Sequence, residues 1–164
     1  MAVPGWRRVG RRPRRRPTRR DPVSQNGPVS QHGPARVVVG AAIVRDGRLL
    51  AQCRAPSAEL AGRWELPGGR VERGESEAAA LRRECREELG ALITVLDRLG
   101  GDVPLPGSSG SVLRIYAATV SNGSPEPRAV EHAGLRWVSG AELPQLNWLD
   151  ADRILVPELA RLLR

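Results

Sequence analysis

The chain changes texture at Arg36. Before it there is no apolar periodicity; after it, apolar residues recur in blocks and at regular spacings. "RVVVGAAIV" (36–44) is a continuous β-rich run, "RDGR" (45–48) sets Asp-Gly in a hairpin turn, and "LLAQCR" (49–54) returns as the partner strand. Residues 55–63 read as a loop, and "WEL" (64–66) as a short strand closed by Pro67 and the tight strand-to-loop turn of Gly68 and Gly69. Residues 76–89 form a helix that stops at Gly90. Strands follow at 91–99 and 112–120, separated by a Gly/Ser/Pro loop (100–111), and again at 135–139. The last element is a helix over 149–164, with Ile154, Leu155, Leu159 and Leu162 at helical spacing; Pro157 either kinks it or falls in its first turn. Strands, hairpins and two or three helices in this order predict an α/β fold around a mixed sheet.

Charge sharpens the division. Of 26 basic residues, nine arginines lie in residues 1–35 beside a single acid, Asp21, which leaves 17 arginines against 17 acids in 36–164. The net charge of +8 therefore belongs to the first segment, which is rich in Pro, Gly, Arg, Ser and Gln and reads as a disordered arm. Such an arm is either a weak electrostatic contact for nucleic acid or a plain solvated extension, including one from a start codon assigned too far upstream. No apolar run has membrane-spanning length, so a soluble cytoplasmic protein, monomer or homodimer, is expected. The two cysteines, Cys53 and Cys85, have neither disulfide-scaffold nor zinc spacing and are expected as small buried hydrophobes.

The helix at 76–89 carries the chemistry. With each residue advancing about 100°, Glu87 lies about −60° and Glu88 about +40° from Glu84, so three carboxylates share one arc. Leu81, Cys85, Leu89 and Ala78 fall on the neighbouring arc, which can bury against a sheet. Glu84 and Glu88 repel as an i,i+4 pair. Either the surrounding Arg82, Arg83 and Arg86 make this a solvated acidic face, or a hard divalent cation with oxygen ligands resolves it.

The stretch "GRVERGESEAAALRRECREELGA" (69–91) resembles the Nudix box at every fixed position: Gly69, Glu75, Arg83, Glu84, Glu87, Glu88 and Gly90, with Cys85 and Ala91 in the two apolar places. Residues 36–164 look like the MutT-type branch of the Nudix hydrolases, with "GRWELPGG" (62–69) and "NWLDADR" (147–153) similar to that branch in particular. The resemblance implies an α/β/α sandwich with a mixed sheet, preceded by the arm at 1–35. It implies hydrolysis of nucleoside triphosphates to monophosphate and pyrophosphate with Mg²⁺, or Mn²⁺ as a substitute.

Carried over residue by residue, Glu84, Glu87 and Glu88 resemble the metal-binding carboxylates, helped by the carbonyl of Gly68. Arg83 orients them and Glu75 braces the loop. Glu87, or Glu131 in "AVEHAG" (129–134), resembles the general base, while His132 beside it is expected at the rim. Arg54 and Arg114 are the candidate phosphate grips, because guanidinium groups bind phosphate as bidentate forks. Leu66 stands where this branch offers an apolar side to the base. Asp152 stands where a polar residue reads the base edge, unless it only caps its helix. The substrates implied are CTP or dCTP, or oxidised nucleotides such as 8-oxo-dGTP. The competing readings are a Nudix hydrolase of a dinucleotide polyphosphate, ADP-sugar or RNA cap, whose extra signatures are not found here. A non-catalytic Nudix-fold module tethered to nucleic acid is a further alternative, although such modules usually lose box glutamates that this chain keeps.

Overall fold

In the computed structural model, the structure describes residues 36–107 and 110–164; the arm expected at 1–35 lies outside the described residues. The first hairpin joins β1 (Val37–Arg45) to β2 (Arg48–Cys53) through Asp46 and Gly47, both at positive φ (50° and 68°), as a two-residue turn with the right strand twist requires. β3 (Trp64–Glu65), β4 (Gly68–Arg70), α1 (Glu77–Leu89), β5 (Ile93–Pro104), β6 (Val112–Val120), β7 (Gly134–Val138), a 3-10 turn at Leu143–Gln145 and α2 (Asp150–Leu162) complete the chain. The sheet is mixed. β1 runs parallel to β6 from Val37 to Ile43, the other pairings between these strands are antiparallel, and a single parallel bridge joins Trp64 to Trp148. On its other edge β1 pairs β2 only at Val44 and Arg45 and β4 at Val38–Gly40, while β2 continues against β3 and β7. The sheet therefore splits between β3 and β4, at Leu66 and Pro67.

Alternation along β1 assigns the two faces. Val39, Ala41 and Ile43 pack with Ala80, Leu81, Cys85 and Leu89 of α1. Ala42, with Leu49 and Ala51 of β2, packs with Trp148 and with Ala151, Leu155 and Leu159 of α2. The result is the expected α/β/α sandwich. Two local expectations are corrected. β5 does not stop at residue 99 but runs to Pro104, carried past Gly100 and Gly101 by register shifts after Val95 and Leu99 that absorb the extra residues. On α2, Ile154 is 64% exposed, and Ala151 takes its place on the inward stripe. Pro157 sits in the helix interior on the exposed side, where the carbonyl of Arg153 that it leaves unmatched can be met by water.

Both ends of α1 are fastened. Ser76 caps the start, its Oγ accepting the N–H of Ala79 at 3.2 Å, and Gly90 ends the helix at φ 62°. The last carbonyls do not face solvent: Val130 N–H donates to the Glu88 carbonyl and Arg128 N–H to that of Leu89, both at 3.0 Å. The loop that carries Glu131 and His132 is thereby tied directly to the acidic helix.

Candidate active site

The two glycines before α1 are each needed for a close approach. They form not a turn but the strand β4, which lies on β1. A Cβ on Gly68 would sit 2.0 Å from the carbonyl oxygen of Val39, and one on Gly69 would sit 2.2 Å from Oε1 of Glu84. The first glycine lets the strands pair, and the second lets the Glu84 carboxylate fold over the backbone.

Arg83 organises the helix face. Its Nε and one terminal nitrogen fork onto both oxygens of Glu75 at 3.0 and 2.9 Å, and that same nitrogen reaches the carbonyl of Arg70 at 3.0 Å. The other terminal nitrogen lies 2.8 Å from Glu84 and 3.5 Å from Glu87. Hydrogen bonds from Arg83 and from the Glu72 backbone hold the Glu75 carboxyl below its usual range.

Glu88 is different. It is buried, and its Oε2 accepts two neutral donors, Gln52 Nε2 and Gly68 N–H, both at 3.0 Å. Burial outweighs these bonds and raises its pKa to about 7. Beyond it lies a second ion cluster. His132 Nε2 is 2.8 Å from Glu65 Oε1 and 3.9 Å from Glu88 Oε1, and Arg54 reaches both oxygens of Glu65 at 3.0 and 3.1 Å.

Two adjoining cavities meet where the sheet splits. A polar basin of about 410 Å³ is lined by Arg54, Gly68–Arg70, Glu88, Glu131 and His132. An apolar slot of about 120 Å³ is lined by Gly40, Leu66, Leu105, Leu113 and Ala151, with Asp152 as its buried carboxyl. Val38, Glu65 and Gly68 form the wall between them. Asp152 does more than meet its own N–H in the first turn of α2: its carboxyl Oδ1 also accepts the N–H of Leu66 at 3.0 Å, and burial raises its pKa to about 7.

The structure thus gathers Gly68, Glu88, Glu131 and Arg54 around the basin, with Glu84 packed against Gly69 and Glu87 half exposed on the next turn. Leu66 and Asp152 share the slot. Arg114 lines neither cavity; it binds Glu77 at the start of α1 and forks onto Asp102 at 3.0 and 3.1 Å. Sequence reasoning missed Gln52 and Glu65 and placed His132 at the rim, whereas its side chain is only 10% exposed. The one available signal was register, since Gln52 continues the buried face of β2 begun by Leu50.

Among the described residues no three acidic, His or Cys side chains already converge as a cation site. The donors nevertheless suit a hard divalent ion. All are oxygens, Glu84 and Glu87 share one nitrogen of Arg83, whose single charge also faces Glu75, and the hydrogen-bond donors to buried Glu88 are uncharged. A cation at this face would relieve that repulsion.

The sequence profile of the NUDIX domain matches residues 34–159. The chain belongs to the NUDIX domain family. It is 48% identical over 131 residues to a protein of Mycobacterium tuberculosis named putative 8-oxo-dGTP diphosphatase 2, covering 78% of this chain and 90% of that one. It is 38% identical over 115 residues to the CTP pyrophosphohydrolase of Escherichia coli (70% and 84%). The solution structure of the E. coli ORF135 protein superposes with a TM-score of 0.64 at 35% identity, covering 83% of this chain and 95% of that one. This NUDIX protein is accordingly a MutT-type hydrolase of phosphoric anhydride bonds that acts on nucleotides.

Proposed function

We propose that this NUDIX hydrolase is a Mg²⁺-dependent nucleoside triphosphate pyrophosphohydrolase, converting (d)NTP and water to (d)NMP and pyrophosphate. Its substrates are CTP or dCTP, or oxidised nucleotides such as 8-oxo-dGTP, as the names of the relatives suggest. One observation supports this above the rest: an apolar slot bearing the buried Asp152 carboxyl adjoins a polar basin beside the box glutamates across a shared wall. A flat base fits the first and a polyphosphate the second.

Glu84, Glu87, Glu88 and the Gly68 carbonyl would hold Mg²⁺, or Mn²⁺ in its place. Bound there, the ion would offset phosphate charge and make water a better nucleophile. The protein's own part is positioning. Leu66 lies along the base and Asp152 meets its polar edge. Arg54 faces the phosphates from the basin wall, and Glu131 or Glu87 takes the proton of the attacking water.

A panel of NTPs, dNTPs and oxidised or methylated nucleotides, scored by kcat/KM with and without Mg²⁺, tests the reading. The expected products are monophosphate and pyrophosphate. Turnover confined to dinucleotide polyphosphates or ADP-sugars, or nucleotide binding without turnover, would replace it with one of the competing readings.

A further inference from the structure

β2 alternates between the faces of the sheet: Leu49 and Ala51 pack on the α2 side and Leu50 on the α1 side. The next residue toward α1 is Gln52, where the pattern calls for an aliphatic side chain. Its amide is fully buried, its Oε1 has no hydrogen-bond partner, and its Nε2 makes one bond, to Glu88 Oε2. Burying an amide with an unmet acceptor is costly, so the position makes sense through the single bond it forms. With Glu88 ionised, as a metal ligand must be, the amide can face only one way, since a flip would set two acceptor oxygens against each other. Gly68 N–H donates to the same carboxylate oxygen. Oε2 is therefore committed to the sheet, and Oε1 is the oxygen near His132 at the basin.

We propose that Gln52 is a positioning residue: it ties Glu88 Oε2 to β2 so that Oε1 alone is presented to a divalent cation. This rests on the metal reading above. An amide suits the task because it donates without bringing a charge. A lysine or arginine here would hold the carboxylate harder but would repel the ion. Arg83, the cation already at the helix face, has its charge matched by Glu75.

The test is Mn²⁺ binding to the full chain, followed by electron paramagnetic resonance of the free ion, for wild type, Gln52→Met, Glu88→Gln and the double variant. Gln52→Met is expected to weaken Mn²⁺ affinity about tenfold or more, as loss of a group orienting a ligand does. kcat should fall with it, while nucleotide KM at saturating metal changes little. The double variant should bind no more weakly than Glu88→Gln alone. Mn²⁺ affinity in Gln52→Met within about twofold of wild type, or additive losses in the double variant, would overturn the proposal. A wild type that binds no Mn²⁺ would overturn the metal reading as well, and is recognised from that sample alone. Should Gln52→Met fail to fold, the wild-type Gln52 side-chain amide still decides. Its NMR signals should be protected from exchange and shift on adding Mg²⁺, and unprotected signals indifferent to Mg²⁺ would overturn the proposal.

Discussion

Glu84 Oε1 lies 2.2 Å from the point where a side chain at Gly69 would begin, so the helix carboxylate occupies the space that this glycine leaves empty. Gly69→Ala should push the flexible end of Glu84 off the β4 backbone and lower kcat/KM by about 10²-fold, the effect of a displacement near 1 Å in a reactive array. The Cβ meets a side-chain end rather than backbone, so the thermal midpoint should change little. Steady-state kinetics beside a melting curve check both; unimpaired turnover would mean that Glu84 does not need this seat.

Glu87→Gln and Glu88→Gln should each reduce turnover by orders of magnitude, because an amide is a poor ligand for Mg²⁺ and cannot act as a base. Glu88→Gln should also change stability. The folded pKa of Glu88 is raised from 4.5 to about 7, so its contribution to stability is present below the lower value and is lost as pH rises through the higher one. Metal-free Glu88→Gln should therefore be more stable than wild type above about pH 7, by on the order of 1–3 kcal/mol, and the gap should close toward pH 4.5. Melting curves in chelator from pH 5 to 8.5 would reveal it; parallel curves would contradict the burial argument.

Helix α1 was legible in the sequence because everything that defines it is local: a serine cap, a 3.6-residue period and a terminal glycine. The strand β1 was legible for the same reason, as a continuous β-rich apolar run. The parallel pairing of β1 with β6 was not, since no local pattern says which distant strand fills an edge. Nor was the split of the sheet that opens the two cavities, because it depends on β4 displacing β2 along β1. Gln52, Glu65 and His132 escaped for a related reason. Each is a polar residue whose role comes from a partner 36 to 67 residues away.

The two candidate phosphate grips should separate on mutation. Arg54 lines the basin and is shared with Glu65, so Arg54→Met should raise nucleotide KM several-fold or lower kcat/KM. The donors of Arg114 are taken by Glu77 and Asp102; Tyr116 and Arg114 together hold the Glu77 carboxyl below its usual range, and Arg114 with Arg98 holds that of Asp102. Arg114→Met should therefore lower the thermal midpoint by loosening the start of α1, with a smaller change in KM. A KM effect larger than that of Arg54→Met would restore Arg114 as a phosphate ligand.

Removing residues 1–35 should leave kcat/KM for a free nucleotide within a few-fold, because both cavities are lined by residues between Val38 and Asp152. Any binding to DNA or RNA should disappear with the nine arginines and weaken steeply with salt. A large loss of hydrolysis on truncation would show that the arm completes the site.

The proposed contact of Asp152 with the base edge makes the choice of base depend on its protonation. An ionised carboxylate only accepts hydrogen bonds, which favours an exocyclic amine such as cytosine N4, whereas a neutral carboxyl both donates and accepts and so suits oxidised guanine equally well. Burial raises this group from 3.8 to about 7, so both forms are populated near neutral pH. The ratio of kcat/KM for CTP to that for 8-oxo-dGTP should therefore rise as pH climbs from 6 to 8.5. Asp152→Asn, which can still accept from Leu66 N–H, should flatten that profile and lower the ratio at pH 8 by about tenfold or more, the scale of one buried polar mismatch. It should also melt higher than wild type above pH 7, since the carboxyl's contribution is lost as pH rises through its folded pKa. A ratio that neither pH nor the substitution alters would leave Asp152 as a brace for Leu66 alone, and the choice of base would then fall to the remaining walls of the slot.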